Sequence, residues 1–315
     1  MHKKIKLLIT IIFLTNSFLF AQDLELGNIF KNKQVDGTIV IESLNTKKIY
    51  IYNDKRAEML FSPASTFKIP NSLIALNEGV VTKDSVIVWD KKIREYESWN
   101  KDQTLLTAFK SSCVWCYQEF ASKIGVEKYK KYLKELNYGN KTIGKDVTDF
   151  WLDESLRITA FEEIRFLKQL QANNLAFKQE DINLLKELMI DEKSENYVVR
   201  AKTGWEGKYG WYVGYVETKN DVWFFALNID TKTKEDLEFI YNKMNQYFPM
   251  PYLSIVGFID ICESYLNVNP LVATSHIERL FEIRWALPER EVYQEVHTVE
   301  EFYEELKQLK LIAIL

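Results

Sequence analysis

The chain has 315 residues, 47% of them hydrophobic, which is enough apolar material to bury a substantial core in one large domain or two lobes and is unlike a disordered chain. Its 41 lysines and arginines are balanced by 45 aspartates and glutamates. The net charge of -4 provides no overall cationic field to hold a phosphate backbone, so nucleic acid is not an expected partner.

In chain order, the first segment is MHKKIKLLITIIFLTNSFLFAQD, with a basic start (Lys3, Lys4, Lys6), an apolar run from Leu7 to Phe20 and a small residue, Ala21, at a cleavage position. It reads as a signal peptide over residues 1–21, which predicts an exported, periplasmic protein whose mature chain starts near Gln22. A membrane span needs roughly 20 apolar residues, and Thr15, Asn16 and Ser17 interrupt this shorter run, so no stable membrane insertion is expected. Residues 22–315 are then one domain.

GTIVIES (Gly37 to Ser43) and KIYIYN (Lys48 to Asn53) are β-branched and aromatic runs separated by LNTK, a hairpin pattern. A helix follows that carries Ser65 and Lys68 and ends near Gly79, with Pro70 expected to bend it or to confine regular hydrogen bonding to one side. From Asp102 to Asp191 the periodicity is mostly helical, broken at Gly125 and at NYGN (Asn137 to Asn140), and Thr159 with Glu162 forms a capping box. Strand character returns in YVVRAKTGW (Tyr197 to Trp205), GWYVGYVE and VWFFALNID, the last two joined by a turn at TKND. The expected fold is α+β: an antiparallel sheet from about 37–56 and 197–230, closed by sequence-distant strands. Helices flank it, and a helical lobe of about 66–195 is inserted between its strands.

Three cysteines are too few for a disulfide scaffold. Cys113 and Cys116 form a C-x-x-C without a thioredoxin-like context, so two small helix residues at i and i+3 are preferred over a redox pair or staple. No second ligand pair sits at finger-like spacing and there is no H-E-x-x-H, so no metal is expected.

Beyond the leader the histidines are His276 and His297, far from the other polar candidates, so a serine nucleophile would need a base other than histidine. Lysine serves if it is uncharged, and burial among apolar groups lowers its pKa from about 10.4. Ser65 and Lys68, an S-x-x-K amid Phe61, Phe67 and Ile69 at a helix start, have that setting. Alone the motif is weak. Here it is followed by SSCVW, which offers Ser112, and then by AKTGW, in which Lys202 and Thr203 lead to a glycine that lets a ligand approach the strand.

From about Gly37 to Asp230 the sequence resembles the class D beta-lactamases, or oxacillinases, of the penicillin-recognising serine enzymes. The resemblance rests on S-T-F-K (Ser65 to Lys68), S-x-V (Ser112 to Val114), Y-G-N (Tyr138 to Asn140), F-W-L (Phe150 to Leu152) with Ser155 and Leu156, K-T-G (Lys202 to Gly204) and G-W-x-V-G (Gly210 to Gly214). S-x-V in place of S-D-N, and no E-x-x-L-N, prefer class D over class A. The resemblance implies that Ser65 is acylated by a beta-lactam, and that Lys68 is carboxylated by carbon dioxide or bicarbonate, with no other cofactor, and acts as general base. Trp151 would hydrogen-bond the carbamate, Val114 and Phe67 would keep the pocket dry, and Ser112 would relay a proton with help from Lys202. Backbone N–H groups of Ser65 and Trp205 would form the oxyanion hole, and Trp99, Thr203, Gly204 and Trp205 would meet substrate.

The chain departs from the family in two places. TKTKEDLEFIYNKM lacks the arginine that usually meets the substrate carboxylate, leaving Lys202, Thr203, Arg200 or the tail arginines Arg279, Arg284 and Arg290 to do so. Residues from about 248–298 match nothing in the family, although EFYEELKQLKLI resembles its closing helix. Two other readings share S-x-x-K and K-T-G: a beta-lactam-sensing receptor domain that is acylated without turnover, and a penicillin-binding transpeptidase.

Overall fold

The computed structural model describes residues 34–231 together with Leu26, Gly27, Phe30 and Lys31. The expected leader, the 248–298 stretch and the tail arginines lie outside the described residues.

Strands β1 (Gly37–Ser43) and β2 (Ile49–Tyr52) form the expected hairpin. A short helix, α1 (Asp54–Ala57), and a 3-10 turn, Ala64–Phe67, lead into α2 (Lys68–Asn77). The helical stretch continues with α3 (Leu105–Lys110), α4 (Val114–Ile124), α5 (Val126–Glu135), α6 (Ala160–Gln171) and α7 (Gln179–Leu188). Gly125 separates α4 from α5, and the Thr159–Glu162 capping box opens α6. The chain then returns through β3 (Ile190–Lys193), β4 (Tyr197–Trp205), β5 (Tyr209–Thr218) and β6 (Val222–Asp230).

The six strands form one sheet in the order β2-β1-β6-β5-β4-β3, with every neighbouring pair antiparallel. Gly37 pairs with Ile229 and Ser43 with Trp223, so the first strand closes against the last. Period-2 alternation sends Val40, Trp211, Val213, Tyr215, Phe224 and Ala226 into the core shared with the helices. Ile39, Ile41, Val199, Val216, Phe225 and Leu227 go to a second cluster with Leu26 and Phe30. The sheet is apolar on both faces because both faces are covered.

One local expectation is refined and one is corrected. Near Pro70 a 3-10 turn, Ala64–Phe67, runs into regular α-helix only at Lys68, so the proline falls in the first turn and regular hydrogen bonding lies on its C-terminal side. A short strand, β3, occupies a stretch expected to be helical and pairs with β4 through an irregularity between Ile190 and Glu192.

Candidate active site

The nucleophile turn is held from two sides before any catalytic group is considered. The carbonyl of Trp151 accepts from the Ser62 hydroxyl at 2.8 Å and from the Ala64 amide at 3.0 Å. The indole N–H of Trp211 donates to Ser62 O at 2.9 Å. Ala64 takes a left-handed backbone (φ 49°), an uncommon conformation for a residue with a Cβ, directly before Ser65. On the sheet side a Cβ on Gly204 would stand 2.7 Å from Pro63 O and 3.1 Å from Thr66 N, so only glycine lets β4 pass this close to the turn.

Ser65 Oγ and Lys68 Nζ are 2.9 Å apart and both residues are buried. Burial first, and then the charge of Lys202, hold the Lys68 amine well below the ordinary lysine range. A neutral amine at this distance can accept the serine proton. The ring of Tyr117 lies 5.1 Å from Lys68 Nζ, and its hydroxyl is bonded to Ser72 at 2.7 Å, so the apolar wall is itself fixed.

Lys202 on β4 reaches Ser112 Oγ at 2.6 Å and Thr203 O at 3.1 Å, with the Phe109 ring 5.6 Å from its nitrogen. Burial brings its pKa down to about 7, against the raising field of Asp191 and with a further lowering one from Lys110. Phe109, Lys110, Asp191, Lys202 and Thr203 line one small pocket. Ser112 joins α3 to α4 in a left-handed backbone (φ 54°), so a second strained residue stands at the site.

Trp151 is fully buried and lies with its ring 5.8 Å from that of Phe67 in a stacked arrangement, and its Nε1–H has no hydrogen-bond partner among the described residues. An unpaired buried donor of this kind is costly and calls for an acceptor. Val114 is half-buried at the start of α4. Trp99 donates its indole N–H to Ser111 O at 2.8 Å and accepts at its carbonyl from Trp115 at 3.0 Å, which fixes it beside the Ser112 segment. Trp205, at the end of β4, donates to Thr231 Oγ1 at 3.0 Å. Of the arginines considered for the substrate carboxylate, Arg200 is committed elsewhere, to Glu217 at 2.8 Å and to Lys186 O.

Cys113 and Cys116 are joined by a disulfide, which corrects the reading of two independent helix residues. Cys113 caps α4 rather than lying within it, so the pair spans the entry to the helix with Cα atoms 5.5 Å apart. The sequence reading also passed over Glu163. It is buried on α6 with Oε1 2.8 Å from Thr66 Oγ1, and that oxygen accepts from Tyr138 OH at 3.0 Å. A signal was present: Ala160, Glu163, Leu167 and Leu170 fall on one helical face, and a carboxylate in such a stripe is out of place. Among the described residues no group of three or more His, Cys, Asp or Glu is placed to hold a metal, and no helix is long and apolar enough to cross a membrane.

A serine bonded to a buried lysine one helical turn away, with a second serine and a K-T-G strand closing over it, defines a penicillin-binding transpeptidase-type domain. The family described as Penicillin binding protein transpeptidase domain matches residues 37–244. Beta-lactamase OXA-20 from Pseudomonas aeruginosa is 45% identical over 215 residues, 67% of this chain and 81% of that one. The crystal structure of FUS-1 (OXA-85), a class D beta-lactamase from Fusobacterium nucleatum, superposes with a TM-score of 0.70 at 36% identity, covering 73% of this chain and 98% of that one. Regulatory protein BlaR1 from Bacillus licheniformis is 38% identical over 206 residues, 64% of this chain and 34% of that protein. The chain belongs to the class D beta-lactamase family.

Proposed function

We propose that the protein hydrolyses beta-lactam antibiotics through an acyl-enzyme on Ser65, with Lys68, carboxylated on Nζ, as the site of the general base. The observation that carries this reading is the pairing of Ser65 Oγ with a buried Lys68 amine at 2.9 Å. Only a neutral amine adds carbon dioxide, losing one proton as the N–C bond forms, and burial favours that neutral form. The carbamate would supply a carboxylate base, and the unpaired Nε1–H of Trp151 is a donor suited to hold it.

The rest follows from the residues in place. Ser65 Oγ gives its proton to the base and bonds the lactam carbonyl carbon, while backbone N–H groups of Ser65 and Trp205 receive the developing oxyanion. As the lactam C–N bond breaks, Ser112 passes a proton to the departing nitrogen and is resupplied by Lys202, 2.6 Å away. Water then cleaves the ester. Lys202 and Thr203 are the polar groups at hand for the substrate carboxylate, since Arg200 is engaged with Glu217. The leader-like N-terminal sequence supports export to the periplasm as part of this reading.

The BlaR1 match favours one second reading, a sensor that is acylated and stays so. Turnover of a chromogenic cephalosporin with and without added bicarbonate decides between them. A hydrolase shows multiple turnovers that bicarbonate restores after depletion, whereas a sensor shows one stoichiometric burst. Ser65→Ala should remove acylation and Lys68→Ala at least deacylation, and full turnover in either variant refutes the mechanism.

A further inference from the structure

Glu163 sits on α6 with no exposure and no role in the chemistry above, and it touches the nucleophile turn. Thr66 Oγ1 carries a single hydrogen and lies 2.8 Å from two oxygens, Pro63 O and Glu163 Oε1. A carbonyl oxygen can only accept, and a carboxylate oxygen can only accept. With Glu163 ionised, one of the two contacts therefore has no proton. With a proton on Oε1 both are made: the acid donates to Thr66 Oγ1, Thr66 donates to Pro63 O, and Tyr138 OH donates to the same Oε1 at 3.0 Å. Oε2 is buried and has no partner among the described residues. That is tolerable for an uncharged carbonyl and costly for half of a carboxylate.

We propose that Glu163 is a positioning residue for the nucleophile turn, tying Thr66, the neighbour of Ser65, to Tyr138 of the helical lobe as an uncharged acid. The two ends of this tie matter to the site. Thr66 is pressed between Glu163 and Gly204 of the K-T-G strand, and Tyr138 stands with its ring 5.7 Å from that of Phe67 in the same turn. The groups that bear on the carboxyl are the Thr66 hydroxyl from the turn, the Tyr138 phenol from the segment after α5 and the carboxylate of Glu162 on its own helix. Burial, the largest influence, pushes its pKa up to about 7, with Thr66 and Tyr138 opposing and Glu162 adding to the rise. Above that pH the orphaned Oε2 carries charge, and conformations that admit water to the turn gain.

The inference deepens the proposed function and rests on it for its kinetic consequence, so the experiment has one arm that needs no activity. The side chain in Glu163→Gln keeps the shape, is uncharged at every pH and can donate to Thr66, whereas that in Glu163→Leu can make none of these bonds. The folded-state pKa of Glu163 is raised, so the parent protein loses stability as pH climbs from the unfolded value of about 4.3 through the folded one. Its thermal midpoint should therefore fall relative to that of Glu163→Gln between about pH 5 and about pH 8. Acylation by the chromogenic cephalosporin, read as the burst rate, should be kept by Glu163→Gln within about twofold near pH 6 and lowered about tenfold or more by Glu163→Leu. A parallel pH course of stability in the parent and Glu163→Gln overturns the uncharged acid, and an unchanged burst rate in folded Glu163→Leu overturns the positioning role. If the parent itself forms no acyl-enzyme, the hydrolase reading fails, and the stability arm still decides the state of Glu163.

Discussion

Lys202 Nζ stands 2.6 Å from Ser112 Oγ, a contact between the sheet and the helical lobe across 90 residues of chain. It ties β4, which carries the K-T-G residues, to the α3–α4 junction, so the proposed relay depends on how the lobe docks on the sheet. Because the Lys202 pKa is brought down to about 7, the residue is charged on the acid side of neutrality and loses its proton on the alkaline side. As proton donor to Ser112 it should give the acylation rate an alkaline limb with an apparent pKa near that value. Lys202→Arg stays charged throughout, so its residual rate should lack the limb, and Lys202→Met should be slower by about a hundredfold at all pH values. Stopped-flow acylation across the pH range checks this. An alkaline limb that survives in Lys202→Met belongs to another group.

Trp151 has two separable parts. Its carbonyl and ring hold the turn at Ser62, Ala64 and Phe67, while its Nε1–H has no partner among the described residues. Trp151→Phe keeps the backbone bonds and part of the ring packing and removes only the N–H as a polar group. If that N–H holds the carboxylated lysine, the variant should turn over about tenfold or more slowly, with partial rescue by high bicarbonate. The loss of stability should be about 1–3 kcal/mol from the smaller ring. A steady-state rate equal to that of the parent removes the role.

The Cys113–Cys116 crosslink closes a ring of only four residues at the head of α4, beside the left-handed Ser112. Chain-entropy reasoning for so small a ring gives about 2 kcal/mol. Reduction, or the double change Cys113→Ala with Cys116→Ala, should lower the melting temperature by about 4–8 °C. Thermal unfolding with and without reductant measures it, and the double variant should not respond to reductant at all.

Strand boundaries were legible where the chain is β-branched and aromatic: β1, β4 and β6 run over the residues their composition picks out. β3 was not, because Ile190, Asp191, Glu192 and Lys193 have little strand preference and pair with β4 only through its open edge. The site motifs were legible because S-x-x-K, S-x-V and K-T-G each place their polar groups by local geometry, and the fold brings Ser65 to Lys68 and Ser112 to Lys202. The disulfide was hidden, since C-x-x-C does not say that Cys113 lies outside the helix and can approach Cys116. Glu163 could have been found as the one acid in an apolar stripe, but its partners, Thr66 and Tyr138, come from segments that only the tertiary fold assembles.

Gly204 tests whether the distance between strand and turn, rather than the K-T-G side chains, sets the nucleophile. Its backbone is extended, so alanine there meets no conformational penalty, and the whole effect comes from space. The added Cβ would lie 2.7 Å from Pro63 O, 3.0 Å from Thr66 Cγ2 and 3.1 Å from Thr66 N, and two of these three atoms are backbone that cannot swing aside. Either β4 or the turn must move by some tenths of an ångström. β4 is laddered to β5 along its full length from Tyr197 to Trp205, so the turn that carries Ser65 should yield. Gly204→Ala should therefore cost about 1–3 kcal/mol in unfolding free energy and slow acylation by about tenfold or more, without moving the pH limb assigned to Lys202. Denaturant unfolding and burst kinetics on the same preparation read both quantities, and a variant that keeps the parent's burst rate shows that the close approach does not position Ser65.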